Sequence, residues 1–425
     1  MMRKYEIKGL DTYIYKEVLD NGLLVYICPM EKNDAHASLV TKFGSDVLEF
    51  IPRGKNDYIK IPEGTAHFLE HKMFEMENGM DPMILYSNNG ASSNAYTSSK
   101  VTRYYFTGAS HFFENLKILL DCLNNPYFTK ENIKKEQGII GEEINTSLDN
   151  PAARIYYLAN KNLFETHPHK NPVLGTKESI SKLTESILYD TYNTFYHPSN
   201  MYLVITGKVD PKKTIEFVRE YYKNINVINK DKIKIKKYKE SKNVVCDKKE
   251  EKMDITNKFL SVAYKVKVPH KRDKFLTNLY IILYLDILFS EISSLFNENH
   301  NDKNILTHVG YFTEEVDDYI IIHFDTEVIN DEKVLVKIDK ELNKKDFSEE
   351  DFGLILKNVL KSTLMATEDV SSMAHIIVNQ ELNYDKFYTD FYNIYKNLKY
   401  DDCKSFIQSL DFSNKTIAVI KSLDK

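Results

Sequence analysis

Two histidines and a glutamate lie within five consecutive residues, His67-Phe68-Leu69-Glu70-His71. In a helix with about 3.6 residues per turn, His67 and His71 lie on one face and can present both imidazoles to one point. Imidazoles are common zinc ligands, and Glu70 lies one turn from His67, within reach of a water on the same metal. The pattern therefore predicts a catalytic zinc held by His67 and His71, with Glu70 as the base.

The residues around this motif predict a buried helix, because its wheel leaves almost no polar face; the apolar positions are Ala66, Phe68, Leu69, Met73 and Phe74. Buried imidazoles and a buried carboxylate each need a partner, and a metal ion satisfies all three. The alternative is a pair of hydrogen-bonded core histidines beside a glutamate that reaches solvent.

Zinc with two imidazole ligands needs a third protein ligand and an open position for water. A helix is predicted from Thr129 to about Ser147, with turn residues after it. On its wheel, Glu136 and Glu143 flank an apolar face of isoleucines, whereas Glu142 points away. We assign Glu143 as the third ligand and Glu136 as an accessory carboxylate that orients Glu143 or tunes local charge. The alternative is that both belong to a solvated charged face.

These motifs resemble the pitrilysin and insulinase family of zinc metallopeptidases, the inverzincins, which includes mitochondrial processing peptidase. In that family H-x-x-E-H is followed downstream by two glutamates seven apart on one helix, and here these are Glu136 and Glu143. Other landmarks of the family resemble Gly90 to Thr97, His167 to Gly175 and Tyr196 to Met201. The resemblance covers about the first 225 residues and is nearest to the small bacterial members.

The resemblance implies an α+β fold of two structurally similar domains, each a β-sheet with helices packed mainly on one face, as in mitochondrial processing peptidase and LuxS-like metallohydrolases. A length of 425 residues also favours two domains. We predict a catalytic zinc-binding domain at 1–225, a polar linker at 226–254 and a second, non-catalytic repeat domain at 255–425. A faint repeat supports this, because Ser199-Asn200 and Ser413-Asn414 each precede an apolar strand.

The strand from Ser92 to Thr97 is polar on both faces, as an edge strand can be. By the family resemblance it binds substrate, adding an extended peptide through backbone hydrogen bonds with Asn94 and Ala95 lining the site. The alternative is an ordinary hairpin that faces solvent.

Family members also hold the substrate with an arginine and a tyrosine from a second-half domain. Here the last arginine is Arg272, and Tyr311 and Tyr319 have no guanidinium beside them. Either the lysine-rich composition accounts for this, or a related subunit supplies the pair. We therefore expect a dimer, including the case of a heterodimer whose other subunit provides Arg and Tyr.

The composition and the apolar segments of the sequence limit which binding partners and which cellular compartment we expect. A net charge of −5 shows no basic excess, which argues against nucleic acid. The N-terminus lacks the apolar stretch of a secretion signal, and the strongest apolar run, Phe275 to Leu285, is too short for a transmembrane segment. The four cysteines are scattered, so reduced thiols in the cytoplasm are the simplest interpretation.

The sequence thus predicts a zinc-dependent endopeptidase that hydrolyses peptides or small unfolded polypeptides, with Glu70 activating a zinc-bound water. One alternative is a non-proteolytic scaffold or binding subunit of a peptide-maturation or protein-modification complex with a vestigial zinc site. Another is a non-peptidase metalloenzyme that shares the ligand set, since ligands alone do not fix the substrate.

Overall fold

The computed structural model describes residues 1–223, 225, 232–268, 273–290, 304–305 and 309–423. Its strands are β1 (Arg3–Ile7), β2 (Thr12–Val18), β3 (Leu24–Pro29), β4 (Ala35–Thr41), β5 (Glu49–Ile51), β6 (Ile59–Lys60), β7 (Ala91–Thr97), β8 (Thr102–Gly108), β9 (Met201–Gly207), β10 (Lys234–Ile235), β11 (Lys248–Met253), β12 (Lys258–Lys267), β13 (Gly310–Val316), β14 (Tyr319–Val328) and β15 (Lys415–Ser422).

Its α-helices are α1 (Thr65–Lys72), α2 (Pro82–Asn88), α3 (Phe112–Asn124), α4 (Lys130–Asp149), α5 (Pro151–Leu163), α6 (Lys177–Ile180), α7 (Glu185–Phe195), α8 (Pro211–Lys223), α9 (Lys274–Phe289), α10 (Asp331–Lys344), α11 (Glu349–Thr367), α12 (Val370–Tyr384), α13 (Phe391–Lys396) and α14 (Tyr400–Gln408).

Contacts group the chain into two compact units. Unit 1 comprises Met1–Ile144, Pro172–Lys237 and Ser362–Asn393, and unit 2 comprises Asn145–Asn171, Tyr238–Lys361 and Ile394–Lys425. Unit 1 contains a seven-stranded sheet of order β1-β2-β3-β9-β4-β8-β7 and a small sheet of order β10-β5-β6. Unit 2 contains a five-stranded sheet of order β11-β15-β12-β14-β13.

The two large sheets share one topology. In unit 1, β9 pairs parallel with β3 and antiparallel with β4, and the sheet continues through β8 to β7. In unit 2, β15 pairs parallel with β11 and antiparallel with β12, and the sheet continues through β14 to β13. Five strands therefore correspond one to one, which confirms the predicted pair of similar α+β domains.

Among the described residues of each unit, most helices pack on one face of the sheet and a single helix covers the other. The core of unit 1 lies between the sheet and α1, α3, α4, α7 and α8, and that of unit 2 between its sheet and α9, α10, α11 and α14. On the opposite faces, α12 packs on β4 and β9, and α5 packs on β12 and β15. Burying the apolar side of each helix stabilises these layers.

The domain boundaries predicted from the sequence, 1–225 and 255–425, remain a prediction. The two compact units differ from them in two segments of the chain. Residues 145–171 belong to unit 2 and residues 362–393 to unit 1, because α5 and α12 bury their apolar faces there. The predicted linker, 226–254, includes β10 and β11, while residues 226–231 lie outside the described part of the chain.

The faint sequence repeat has a structural counterpart. Asn200 Nδ2 donates to the carbonyl of Lys42 at 3.3 Å, just after β4, and Asn414 Nδ2 donates to the carbonyl of Lys265 at 3.1 Å, on β12. The backbone N–H groups of Lys42 and Lys265 donate back to Asn200 and Asn414 at 3.1 and 2.9 Å. Each asparagine thus fastens the start of one strand to its neighbour, in both units.

The start of α1 is fixed by the close approach of two turns. Gly64 and Gly175 have φ angles of 85° and 71°. A Cβ atom on Gly64 would lie 2.4 Å from the carbonyl oxygen of Leu174, and one on Gly175 would lie 2.5 Å from that of Glu63. Only glycine fits both the backbone conformation and the space. The landmark loop that ends at Gly175 therefore positions the helix that carries the two histidines.

We expect Gly64→Ala to destabilise unit 1 by more than the about 1–2 kcal/mol that a left-handed conformation costs an L-residue, because its Cβ also meets a backbone carbonyl. Gly79→Ala is the matched control, since Gly79 has a φ of 70° and nothing lies within 4 Å of its would-be Cβ. The measurement is the free energy of unfolding in urea. Equal losses in both variants would contradict the close approach.

Candidate metal centre

The structure brings the three predicted ligands together. His67 and His71 on α1 and Glu143 on α4 each offer one atom, and these atoms lie within 4.8 Å of one another. His67 Nε2 lies 3.6 Å from Glu143 Oε1, and His71 Nε2 lies 3.6 Å from Glu143 Oε2. Around tetrahedral zinc with bonds of about 2.0–2.2 Å, ligand atoms lie about 3.4 Å apart. The arrangement therefore fits a zinc ion.

Burial differs among the three residues. The side chain of His67 is 10% exposed and that of His71 27%, whereas that of Glu143 is 44% exposed. The centre is therefore open on the side of Glu143, as a catalytic zinc site requires. Glu142 points elsewhere on α4, with an exposed carboxylate 3.8 Å from Lys177 Nζ. The helix wheel and the structure agree on the placement of both glutamates.

Glu136 orients His71. The Nδ1 atom of His71 lies 2.9 Å from Glu136 Oε1, so Nδ1–H donates to the carboxylate and the Nε2 lone pair faces Glu143. Burial lowers the pKa of His71, but the hydrogen bond and charge of Glu136 outweigh it and raise the pKa overall. Burial raises the pKa of Glu136, but the hydrogen bond and the charge of His71 lower it by more, so the pKa lies below its usual value. The carboxylate is therefore ionised at neutral pH.

His67 is held neutral. Burial lowers its pKa to about 4, and the neighbouring His71 acts in the same direction, while Glu136 opposes both. At neutral pH its imidazole is thus in the form that binds a metal. Its Nδ1 atom is buried and has no hydrogen-bond partner among the described residues, so the orienting contact that His71 receives from Glu136 has no equivalent here.

Glu70 lies beside the ligands and is tied to the edge strand. Its Oε2 atom accepts a hydrogen bond of 2.5 Å from the hydroxyl of Thr97, the last residue of β7. Burial raises the pKa of Glu70, the Thr97 hydrogen bond and the charge of His71 lower it, and Glu143 raises it, with a net increase. A carboxylate whose pKa moves towards neutrality is suited to taking and returning a proton.

Asn94 and Ala95 lie on β7, which is the edge of the seven-stranded sheet, as predicted. Asn94 faces Tyr105 and Ala95 faces Tyr104 in the register with β8, so the two side chains lie on opposite faces. Ala95 lies on the face of Thr97 and therefore on the side of the metal centre. The side-chain oxygen of Asn94 accepts from the Ala95 N–H at 2.8 Å.

Sequence reasoning overlooked two residues at this centre. In the sequence, Thr97 is only the end of a polar strand; its alternation with Ala95 is the signal that places its hydroxyl on the side of α1. Lys72 follows His71 yet is fully buried and paired with Glu75, and burial lowers its pKa to about 8 while Glu136 opposes this shift. No local pattern distinguishes Lys72 from a solvated helix lysine.

The tyrosines of the second half have other partners. In unit 2, Tyr311 donates its hydroxyl to Asp286 Oδ1 at 2.7 Å, and the ring of Tyr319 lies 5.1 Å from Lys265 Nζ. The hydroxyl of Tyr311 is therefore engaged within unit 2. Arg272 lies outside the described residues.

The apolar run from Phe275 to Leu285 forms most of α9 and packs in the core of unit 2. Among the described residues, no helix combines the length and the apolar character that crossing a membrane requires.

Two family models match the chain. The insulinase model, peptidase family M16, matches residues 56–177, and the peptidase M16 inactive domain matches residues 182–359. Zinc protease YmfH of Bacillus subtilis, itself uncharacterised, is 40% identical over 71% of this chain and 72% of its own length. The beta subunit of mitochondrial-processing peptidase from Caenorhabditis elegans is 30% identical over 41% of this chain and 39% of its own.

Solved structures show the same fold. An M16-like peptidase from Alicyclobacillus acidocaldarius superposes with a TM-score of 0.91 at 24% identity and covers 98% of this chain and 99% of its own. A protease from Helicobacter pylori gives 0.83 at 18% identity, covering 96% and 99%. The two matching family models and the Bacillus relative place the chain in peptidase family M16, the insulinase family of metallopeptidases.

Proposed function

We propose that the protein is a zinc-dependent endopeptidase that hydrolyses peptides or small unfolded polypeptides. His67, His71 and Glu143 would be the metal ligands, and Glu70 the general base. The observation that carries this proposal is the meeting of two imidazole Nε2 atoms and one carboxylate at 3.6 Å, with the Glu70 carboxylate close enough to interact electrostatically with His71 and Glu143. Membership of a family of zinc proteases supports the same reaction class.

When bound, a zinc ion supplies Lewis acidity that polarises a carbonyl oxygen and makes water a competent nucleophile near neutral pH. The protein side chains would orient a ligand and transfer the proton. Glu136 keeps the Nε2 lone pair of His71 directed at the centre. Glu70 takes a proton from the attacking water and passes it to the departing amine.

We propose β7 as the strand that receives the substrate. An edge strand has one side free to pair with an extended peptide, and β7 leads directly to Thr97 beside Glu70. Asn94 and Ala95 would then lie along the bound peptide. Pairing of this kind needs an extended chain, which favours peptides and unfolded segments over folded proteins.

We further propose that the enzyme acts in the cytoplasm as a dimer in which a related subunit supplies the arginine and the tyrosine. Arg154, the one arginine among the described residues of unit 2, is engaged by Glu251 at 2.8 Å. Tyr311 is engaged by Asp286. These pairings support a source outside this chain.

Replacing Glu143 tests the ligand set. In Glu143→Gln the purified protein should lose most of its zinc after dialysis against a weak chelator, because a neutral amide is a poorer ligand than a carboxylate. Glu142→Gln, a change of the same type on the exposed side of α4, should retain about one zinc per chain. The readout is metal content by mass spectrometry. Equal zinc in the two variants would remove Glu143 from the ligand set.

Replacing Glu70 tests the base. Glu70→Gln should retain zinc but lose about 10²- to 10⁴-fold in kcat, the usual contribution of a general base. Hydrolysis of a library of internally quenched peptides is the assay, and Glu63→Gln, on the turn before α1, is the control. If Glu70→Gln preserved the biological role of the protein, the scaffold alternative would be favoured instead.

A further inference from the structure

We propose that Thr97 is the residue that positions Glu70, holding its carboxylate in one orientation so that a single oxygen faces the reacting water. This inference rests on the proposed function and adds a residue to which the sequence assigned no role. The last residue of β7 would then have a second role in addition to peptide binding by that strand.

The contact between Thr97 and Glu70 is short. Thr97 Oγ1 lies 2.5 Å from Glu70 Oε2, the distance of a hydrogen bond from a hydroxyl to an ionised carboxylate. Among the described residues, Thr97 is the side chain that forms a hydrogen bond with Glu70. Oε2 is therefore occupied as an acceptor and Oε1 remains the oxygen that can take a proton.

The pairing of β7 with β8 fixes the backbone of Thr97. It lies opposite Thr102 in the register of β7 and β8, with 3.4 Å between their hydroxyl oxygens. Thr102 is fully buried and donates its own proton to the carbonyl of Phe43 at 3.0 Å. As a β-branched residue on a strand, Thr97 also has few side-chain rotamers. Strand pairing and the small number of rotamers therefore limit where the Thr97 hydroxyl can lie before any substrate binds.

The consequence is a fixed geometry between base and peptide. If an extended substrate pairs with β7, the same strand sets both the peptide register and, through Thr97, the position of Glu70. Displacing a catalytic group by about 1 Å can cost about 100-fold in rate. A carboxylate on a flexible glutamate side chain needs such a contact to remain aligned.

The test compares Thr97→Val, which keeps the shape but removes the hydroxyl, with Thr97→Ser, which keeps the hydroxyl. On the internally quenched peptide library, Thr97→Val should lower kcat about 10- to 100-fold, with KM and zinc content unchanged, and Thr97→Ser should stay near wild type. Adding Thr97→Val to Glu70→Gln should lower kcat no further than Glu70→Gln alone, because Thr97 acts only through that carboxylate.

Crystal structures of the zinc-loaded proteins give a readout independent of activity. Glu70 should adopt one orientation in wild type and Thr97→Ser, and more than one in Thr97→Val. Wild-type kcat in Thr97→Val, with Glu70→Gln inactive, overturns the inference and leaves the proposed function intact. A raised KM or lost zinc in Thr97→Val also overturns it, by assigning Thr97 to substrate or fold. Full activity in Glu70→Gln overturns the proposed function instead, and the crystal structures still decide whether Thr97 holds Glu70.

Discussion

The metal centre of unit 1 depends on one constraint, which is that several carboxylates lie close together at one point. Glu70, Glu136 and Glu143 all approach the two imidazoles, and carboxylates this close repel one another unless positive charge lies among them. Lys72, buried under the helix, and the proton on His71 Nδ1 offset part of this charge next to Glu136. A divalent cation between the Nε2 atoms and Glu143 would offset most of the remainder, so the site and a metal ion are electrostatically matched.

That concentration of charge depends on holding α1 and α4 in register, although they are far apart in the chain. The turn at Gly64 packs directly against the loop at Gly175, which sets where α1 begins. Gln137 on α4 donates to the carbonyl of Ile180 at 3.1 Å, so the segment after Gly175 also contacts the helix that carries Glu143. The segment from Leu174 to Ile180 therefore contacts both the turn before α1 and helix α4. A family landmark outside the sequence motifs of the predicted ligands thus contributes through backbone packing.

The two units share a sheet topology but differ in the polar groups under their covering helices. Beneath α12, Arg103 donates to Ser38 and contacts the rings of His36 and His375. Burial and the charge of Arg103 lower the pKa of His36 to about 3, which keeps that ring neutral.

Beneath α5, the central group is instead an acid, Glu314, which accepts from the hydroxyl of Tyr156 at 3.0 Å and lies 3.4 and 3.3 Å from His169 and His323. One architecture thus accommodates a buried positive charge under α12 and a half-buried negative charge under α5. The fold alone therefore does not specify the chemistry of each half.

The sequence by itself determined the local geometry of the centre. The spacing of His67 and His71, the choice of Glu143 over Glu142 and the edge character of β7 all follow from helix or strand periodicity, which needs only neighbouring residues. The tertiary structure decided the rest. It brought Thr97 to Glu70, buried Lys72 and placed residues 145–171 and 362–393 in units that a linear division of the chain does not predict. These features depend on which distant segments pack together, and the periodicity of a single helix or strand contains no information about that packing.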